Sequence, residues 1–251
     1  MLKIYLINLK SSHERLKASF ENFATIGLTF ERIEAIDGHI HSAAEYNKVK
    51  TIRFISRELS RGEIGCYLSH LLALKTFIGS GVGYALINED DIILSQDTGR
   101  FLNGFIAETE AKGLKWDLLY LSNPLKSRVF SCVYQGHGRE VYRSLHLPMG
   151  TTATLWTREG AVAFFNSQYS KTIFLPFDYA VRSFSSARGN SFGLNSQFVS
   201  LRDVASVVDG PGPPTRLEKL SRKKRLKNII NRKLFDRIAE LKSFLRIVFQ
   251  R

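Results

Sequence analysis

The sequence predicts an α/β protein built on a mainly parallel sheet with flanking helices. Apolar runs rich in strand formers alternate with stretches whose apolar residues recur every three or four positions. The runs are apolar throughout rather than alternating, as in strands covered on both faces. Glycine-containing breaks fall between these elements, where the chain must turn from helix to strand.

Lys3 to Leu9 is the first such strand. Ser11 to Gly27 carries apolar residues at 16, 20, 23 and 26, a helical stripe that Gly27 ends. Phe30 to Ala35 reads as a second strand and Asp37-Gly38 as a turn. Residues 39 to 59 are polar with a basic segment, a loop with room for short helices. Ser60-Arg61-Gly62-Glu63 has the spacing of a capping box, and Ile64, Leu68, Leu71, Leu72 and Phe77 carry that helix to about Ser80. After Gly81-Val82-Gly83, Tyr84 to Ile87 is a buried strand that runs straight into Asn88-Glu89-Asp90-Asp91. Phe101 to Lys112 is a helix and Trp116 to Leu121 a strand. This alternation of strand and helix is the signature of a sheet covered by helices.

Residues 122 to 150 are polar and glycine-rich, which suits a hairpin or a mobile loop. Thr152 to Trp156 is strand-like, and Thr157 caps a helix from Arg158 to about Tyr169. Pro176-Phe177-Asp178 precedes another helix, and Phe192 to Leu201 resembles a last strand. Residues 1–209 form one expected domain, 210–214 a Pro/Gly linker, and 215–251 a separate helical tail.

Composition narrows the function classes. The chain has 251 residues, 44% apolar and 24% charged, an ordinary globular balance. Its two cysteines, Cys66 and Cys132, are too few for a disulfide scaffold or a Cys-rich zinc site. Cys66 reads as a buried structural thiol. No secretory signal or membrane-length apolar run is visible, so a cytoplasmic, soluble or peripheral protein is expected. The net charge of +13 is concentrated in the tail, where 13 Lys or Arg face three acids and leave only +3 for the body. A nucleic-acid-binding protein would explain the charge, but it predicts a basic body with aromatic platforms. The tail has apolar residues at 226, 230, 234, 238, 241, 245 and 248 with Lys and Arg between them, a basic amphipathic helix. Docking on an anionic inner membrane is one reading of it, and packing on protein is the other.

Glu89-Asp90-Asp91 is the first place to look for chemistry. In open α/β sheets ligands bind at the carboxyl ends of strands. Three adjacent carboxylates repel one another, and a divalent cation such as Mg²⁺ or Mn²⁺ removes that penalty while gripping a diphosphate from the other side. A solvated acidic turn is the plain alternative. A phosphotransferase could use similar acids, although no Gly-rich phosphate loop accompanies them. The remaining histidines, His13, His39, His41, His137 and His146, have no metal-ligand spacing.

Four stretches together resemble glycosyltransferase family 25, the lipopolysaccharide and lipooligosaccharide biosynthesis group. They are Ile7-Asn8-Leu9 with Arg15; Ala35-Ile36-Asp37-Gly38; Gly62-Glu63-Ile64-Gly65-Cys66-Tyr67-Leu68-Ser69-His70; and Glu89-Asp90-Asp91. Gly150-Thr151-Thr152, Gly160-Ala161 and Pro176-Phe177-Asp178 are weaker echoes. The resemblance covers roughly residues 1–209 and implies a GT-A-like, Rossmann-type fold. It implies an inverting transfer from a UDP-sugar to a lipooligosaccharide or lipopolysaccharide sugar, with galactose expected and glucose the alternative. It places the metal, Mn²⁺ or Mg²⁺, on Glu89 and Asp91, and donor contacts on Asn8, Arg15, Asp37, Gly38, Glu63, Ser69, His70 and Asp90. Asp178 becomes the expected catalytic base, although a helix cap would also put an acid there.

Overall fold

The computed structural model describes residues 1–40, 59–125, 132–144 and 146–202. The linker and the tail helix expected over 210–251 lie outside the described residues, as does most of the 39–59 loop. The elements, in order, are β1 (Leu2–Asn8), α1 (His13–Thr25), β2 (Glu31–Glu34), α2 (Arg61–Ser80), β3 (Tyr84–Glu89), β4 (Ile92–Ile93), α3 (Thr98–Ala111) and β5 (Leu118–Tyr120). They continue with β6 (Cys132–Gly136), β7 (Arg139–Ser144), β8 (Ala153–Thr157), α4 (Arg158–Phe165), α5 (Gln168–Lys171), α6 (Phe177–Arg188), β9 (Ser191–Leu194) and β10 (Ser200–Leu201).

Eight strands form one sheet in the order β2-β1-β3-β8-β5-β9-β7-β6, and β10 pairs with β4 in a small second sheet. β1 runs parallel to both β2 and β3, and β5 parallel to β9. β8 is antiparallel to both its neighbours, β3 and β5, and the β6–β7 hairpin joins β9 through an antiparallel pairing. The sheet is therefore mixed, with β7 and β8 opposing the other six strands. Of the hairpin or mobile loop expected over residues 122–150, the described residues show a hairpin, β6–β7. The helix expected to reach Tyr169 stops at Phe165, and the short α5 follows; the expected last strand is divided between β9 and β10.

Side chains of the central strands alternate between two cores. Ile4, Leu6 and Leu86 pack with Phe23 of α1 and with Phe101 and Phe105 of α3. Tyr5, Ile7, Ala85 and Ile87 pack with Leu74 and Phe77 of α2 and with Phe164 and Phe184 of α4 and α6. This is why β1 and β3 read as continuous apolar runs: both faces are covered. No helix among the described residues is long and apolar enough to cross a membrane.

Local signals fix the ends of α2. Ser60 Oγ accepts from the Glu63 N–H at 3.1 Å, and the Ser60 N–H donates to Glu63 Oε2 at 2.9 Å, a complete capping box. Gly81 closes the helix in the left-handed region at φ 75°. Thr157 caps α4 through the Gly160 N–H at 2.9 Å. Near the opposite end of the sheet, buried Asp117 accepts two bonds from Arg188, at 2.6 and 3.0 Å, and ties the start of β5 to α6.

Candidate functional site

The carboxyl ends of β1 and β3 lie side by side, with Ile7 in register with Glu89. From β1 the chain leaves through α1 towards β2 on one flank. From β3 it leaves towards the other flank of the sheet. Such a reversal opens a crevice beyond the strand ends. A cleft of about 340 Å³ lies there, within the size range of small-molecule sites. It is walled by Ile7 and Leu9, by Arg15 of α1, by the 35–39 turn, by Cys66, Ser69 and His70 of α2, by Glu89, Asp90 and Asp91, and by Leu201 and Arg202.

Two glycines bring the turn after β2 onto α2. A Cβ on Gly38 would fall 1.8 Å from the Arg61 carbonyl oxygen; one on Gly65 would fall 2.6 Å from both the Gly38 nitrogen and the Ile36 oxygen. Ser69 fastens the same junction, since its hydroxyl accepts from the Ile36 N–H at 2.8 Å and donates to the Gly65 carbonyl at 2.7 Å. Asp37 Oδ1 accepts from the His39 N–H at 2.8 Å, which holds the turn at the cleft wall. Glu63 is buried in its capping box and does not line the cleft.

The three acids have different partners. Asp90 is paired: Oδ2 accepts from Asn8 Nδ2 at 2.6 Å, and Oδ1 from Arg15 Nη1 at 3.1 Å. Asn8 is a buried brace outside the cleft wall; its amide also donates to the Ser12 carbonyl at 3.1 Å and accepts from Arg32 Nε at 3.0 Å. Glu89 Oε1 accepts from His70 Nε2 at 3.1 Å. The His70 ring is itself stacked on Phe177, with centroids 4.2 Å apart and planes 16° from parallel.

Asp91 is the strained member. Its Oδ1 is buried with no hydrogen-bond partner among the described residues. Burial first, and then Glu89 and Asp90, push its carboxyl up to about 6 despite the Arg15 charge. An orphaned buried carboxylate oxygen is costly, and a divalent cation is the kind of group that offsets the cost. Glu89 and Asp91 fit the oxygen preference of such an ion, whereas Asp90 is already neutralised.

Asp178 stands in the first turn of α6, after the N-cap Pro176 rather than at the cap itself. Its Oδ1 accepts from the Tyr179 N–H at 2.8 Å and its Oδ2 from the Gly150 N–H at 3.3 Å. Burial raises its affinity for a proton; the two backbone bonds oppose that rise, and repulsion from Glu89 and Glu63 adds to it. It adjoins these acids without lining the cleft.

Two residues of the site escaped the sequence reading. Arg202 reaches it because β10 pairs with β4, and its N–H donates to the Asp91 carbonyl at 2.7 Å. Its guanidinium donates to the carbonyls of Ile92 at 3.2 Å and Ala18 at 2.8 Å. No motif marks it, and the pairing joins residues far apart in the chain. Cys66, expected to be a buried structural thiol, is half-buried at the cleft wall; burial and then the nearby acids, Glu89 first, push its thiol up.

A family model described as "Glycosyltransferase family 25 (LPS biosynthesis protein)" matches residues 1–181. Procollagen galactosyltransferase 2 of Mus musculus is 28% identical over 127 residues, covering 47% of this chain and 20% of that protein. A glycosyltransferase 25 family member of Anopheles gambiae is 32% identical over 125 residues, covering 47% and 21%. Inactive glycosyltransferase 25 family member 3 of Homo sapiens is 25% identical over 126 residues, again covering 47% and 21%. The chain thus spans about a fifth of the length of the curated relatives it matches.

Proposed function

The chain belongs to glycosyltransferase family 25, and from that premise we propose that its cleft binds a UDP-sugar and that the protein transfers the sugar, with inversion, to a saccharide hydroxyl. The observation that carries the reading is the orphaned Asp91 oxygen near Glu89, in a cleft of about 340 Å³ at the carboxyl edge of the sheet. Because one relative is named inactive, membership alone does not make an enzyme, and these site residues carry the claim of activity. Galactose is the proposed sugar, in keeping with the galactosyltransferase names among the relatives, and glucose is the alternative. A lipooligosaccharide or lipopolysaccharide sugar is the proposed acceptor, in keeping with the description of the family. The strand order, with β8 antiparallel in the middle of the sheet, supports a GT-A-like arrangement.

Each residue has a proposed part. Glu89 and Asp91 would hold Mn²⁺ or Mg²⁺, which when bound neutralises charge on a leaving diphosphate. Arg15 and Arg202 both line the cleft, where their guanidinium groups would draw in a diphosphate. Asp37 and the Gly38 backbone accept and donate bonds at the nucleoside end. Asn8 and Glu63 act behind the wall, where Asn8 orients Asp90 and Glu63 caps the start of α2, while Ser69, at the wall itself, locks the 36–38 turn to the helix. His70 orients Glu89. Asp178 takes the proton of the acceptor hydroxyl on its carboxylate, for which its raised proton affinity suits it. The basic tail over 215–251 would hold the enzyme at an anionic inner-membrane surface near a lipid-linked acceptor.

The test is a donor panel: full-length protein, Mn²⁺ and a set of UDP-sugars, scored by release of UDP. Metal-dependent hydrolysis of UDP-galactose, or of UDP-glucose under the alternative, is expected. Failure of every UDP-sugar to be hydrolysed or to raise the melting temperature would overturn the proposal.

A further inference from the structure

Cys66 and His70 are four residues apart on α2, so the helix sets both on one face. Glu89 comes to the same point from the end of β3. A thiol sulfur, a ring nitrogen and a carboxylate oxygen from these three residues all lie within 4.8 Å of one another, and all three residues line the cleft.

The geometry points to a zinc-type cation site made of Cys66, His70 and Glu89, distinct in ligand chemistry from the Glu89–Asp91 pair. Sulfur, imidazole and carboxylate together form a ligand set for Zn²⁺, whereas Mg²⁺ avoids thiolates. The frame is stiff: α2 is capped at both ends, and the His70 ring is buried and stacked on Phe177. Asp91, Asp178 and Glu63 act electrostatically on the same thiol, and their negative field favours a dication there. Three protein ligands on the wall of a cleft leave a fourth position for water or a ligand atom, the pattern of an open zinc site rather than a closed structural one. The site stands on this geometry alone and holds whether or not the cleft takes a UDP-sugar.

The experiment uses full-length protein freed of metal by a chelator and titrated with Co²⁺, a spectroscopic stand-in for Zn²⁺, in the absence of nucleotide. One equivalent should bind with a thiolate-to-cobalt charge-transfer band, and Zn²⁺ should displace it. Cys132→Ser should keep the band. Cys66→Ser should lose it and bind Zn²⁺ at least about tenfold more weakly, since loss of a direct ligand exceeds the usual effect of an outer partner. Matching melting curves in chelator would show that Cys66→Ser is folded. Absence of the band in the natural sequence, or its survival in Cys66→Ser, overturns the site. If Cys66→Ser does not fold, alkylation of the natural protein decides: Zn²⁺ should slow modification of Cys66 much more than that of Cys132, and equal rates with and without Zn²⁺ overturn it.

Discussion

Replacing Asp91 with Asn removes one charge from a carboxyl whose ordinary value of 3.8 is pushed up to about 6 by burial, Glu89 and Asp90. Two pKa units at about 1.4 kcal/mol each set an upper limit of about 3 kcal/mol on the cost of ionising Asp91 in the folded protein. Asp91 is only partly buried, so solvent screening reduces this to about 1–2 kcal/mol. The sign follows from linkage. Between about pH 4 and pH 6 the folded protein holds this proton and the unfolded chain does not, so the stability Asp91 contributes below pH 4 is lost as the pH rises through 6. Asparagine does not titrate. Metal-free Asp91→Asn should therefore melt about 2–8 °C above the natural protein near pH 7.5, and the gap should close near pH 4. Scanning calorimetry in chelator at both pH values measures this. Addition of Mn²⁺ should raise the melting temperature of the natural protein and leave the variant unmoved. A variant that melts lower at pH 7.5, or a gap that is the same at both pH values, would refute the view of Asp91 as a strained acid awaiting a cation.

Gly65→Ala should lose about 1–3 kcal/mol in urea unfolding, because its methyl would meet the Gly38 and Ile36 backbone at 2.6 Å; an unchanged midpoint would contradict the close packing of the turn on α2. Asp178→Asn should keep UDP affinity and lower turnover by about 10²–10⁴ in steady-state kinetics, so a loss below tenfold removes Asp178 as the base. A chain ended at Pro214 should lose sedimentation with anionic liposomes, given about 1 kcal/mol for each basic residue near such a surface; equal binding by both lengths ends the membrane reading of the tail.

Much of the site is legible along the chain because local rules wrote it. Ser60 and Glu63 announce the start of α2 by spacing, Gly81 its end, and the acids follow a strand that can only be buried. Strand direction is different. Ala153–Thr157 is buried on both faces, and a short buried strand of that kind reads the same whether it lies parallel or antiparallel. The break after Phe165 is set by Ser167, which caps α5 by accepting from the Tyr169 N–H. Long-range pairing hid the rest. Asn8 looks like an open strand-end residue until Asp90 is seen 2.6 Å away, 82 positions later in the sequence. Arg202 joins the acids only through the β10–β4 ladder. Cys66 looks like an inert apolar-helix thiol until the fold sets it beside Glu89.

Glu89 and Asp91, at the edge of the sheet, are proposed to hold a cation for a nucleotide diphosphate. Calorimetric titration of UDP into the full-length protein, once with Mn²⁺ and once with chelator, addresses it most directly. Saturable binding of one UDP per chain that collapses in chelator is the predicted result. UDP binding of equal strength in both titrations, or none in either, would contradict it.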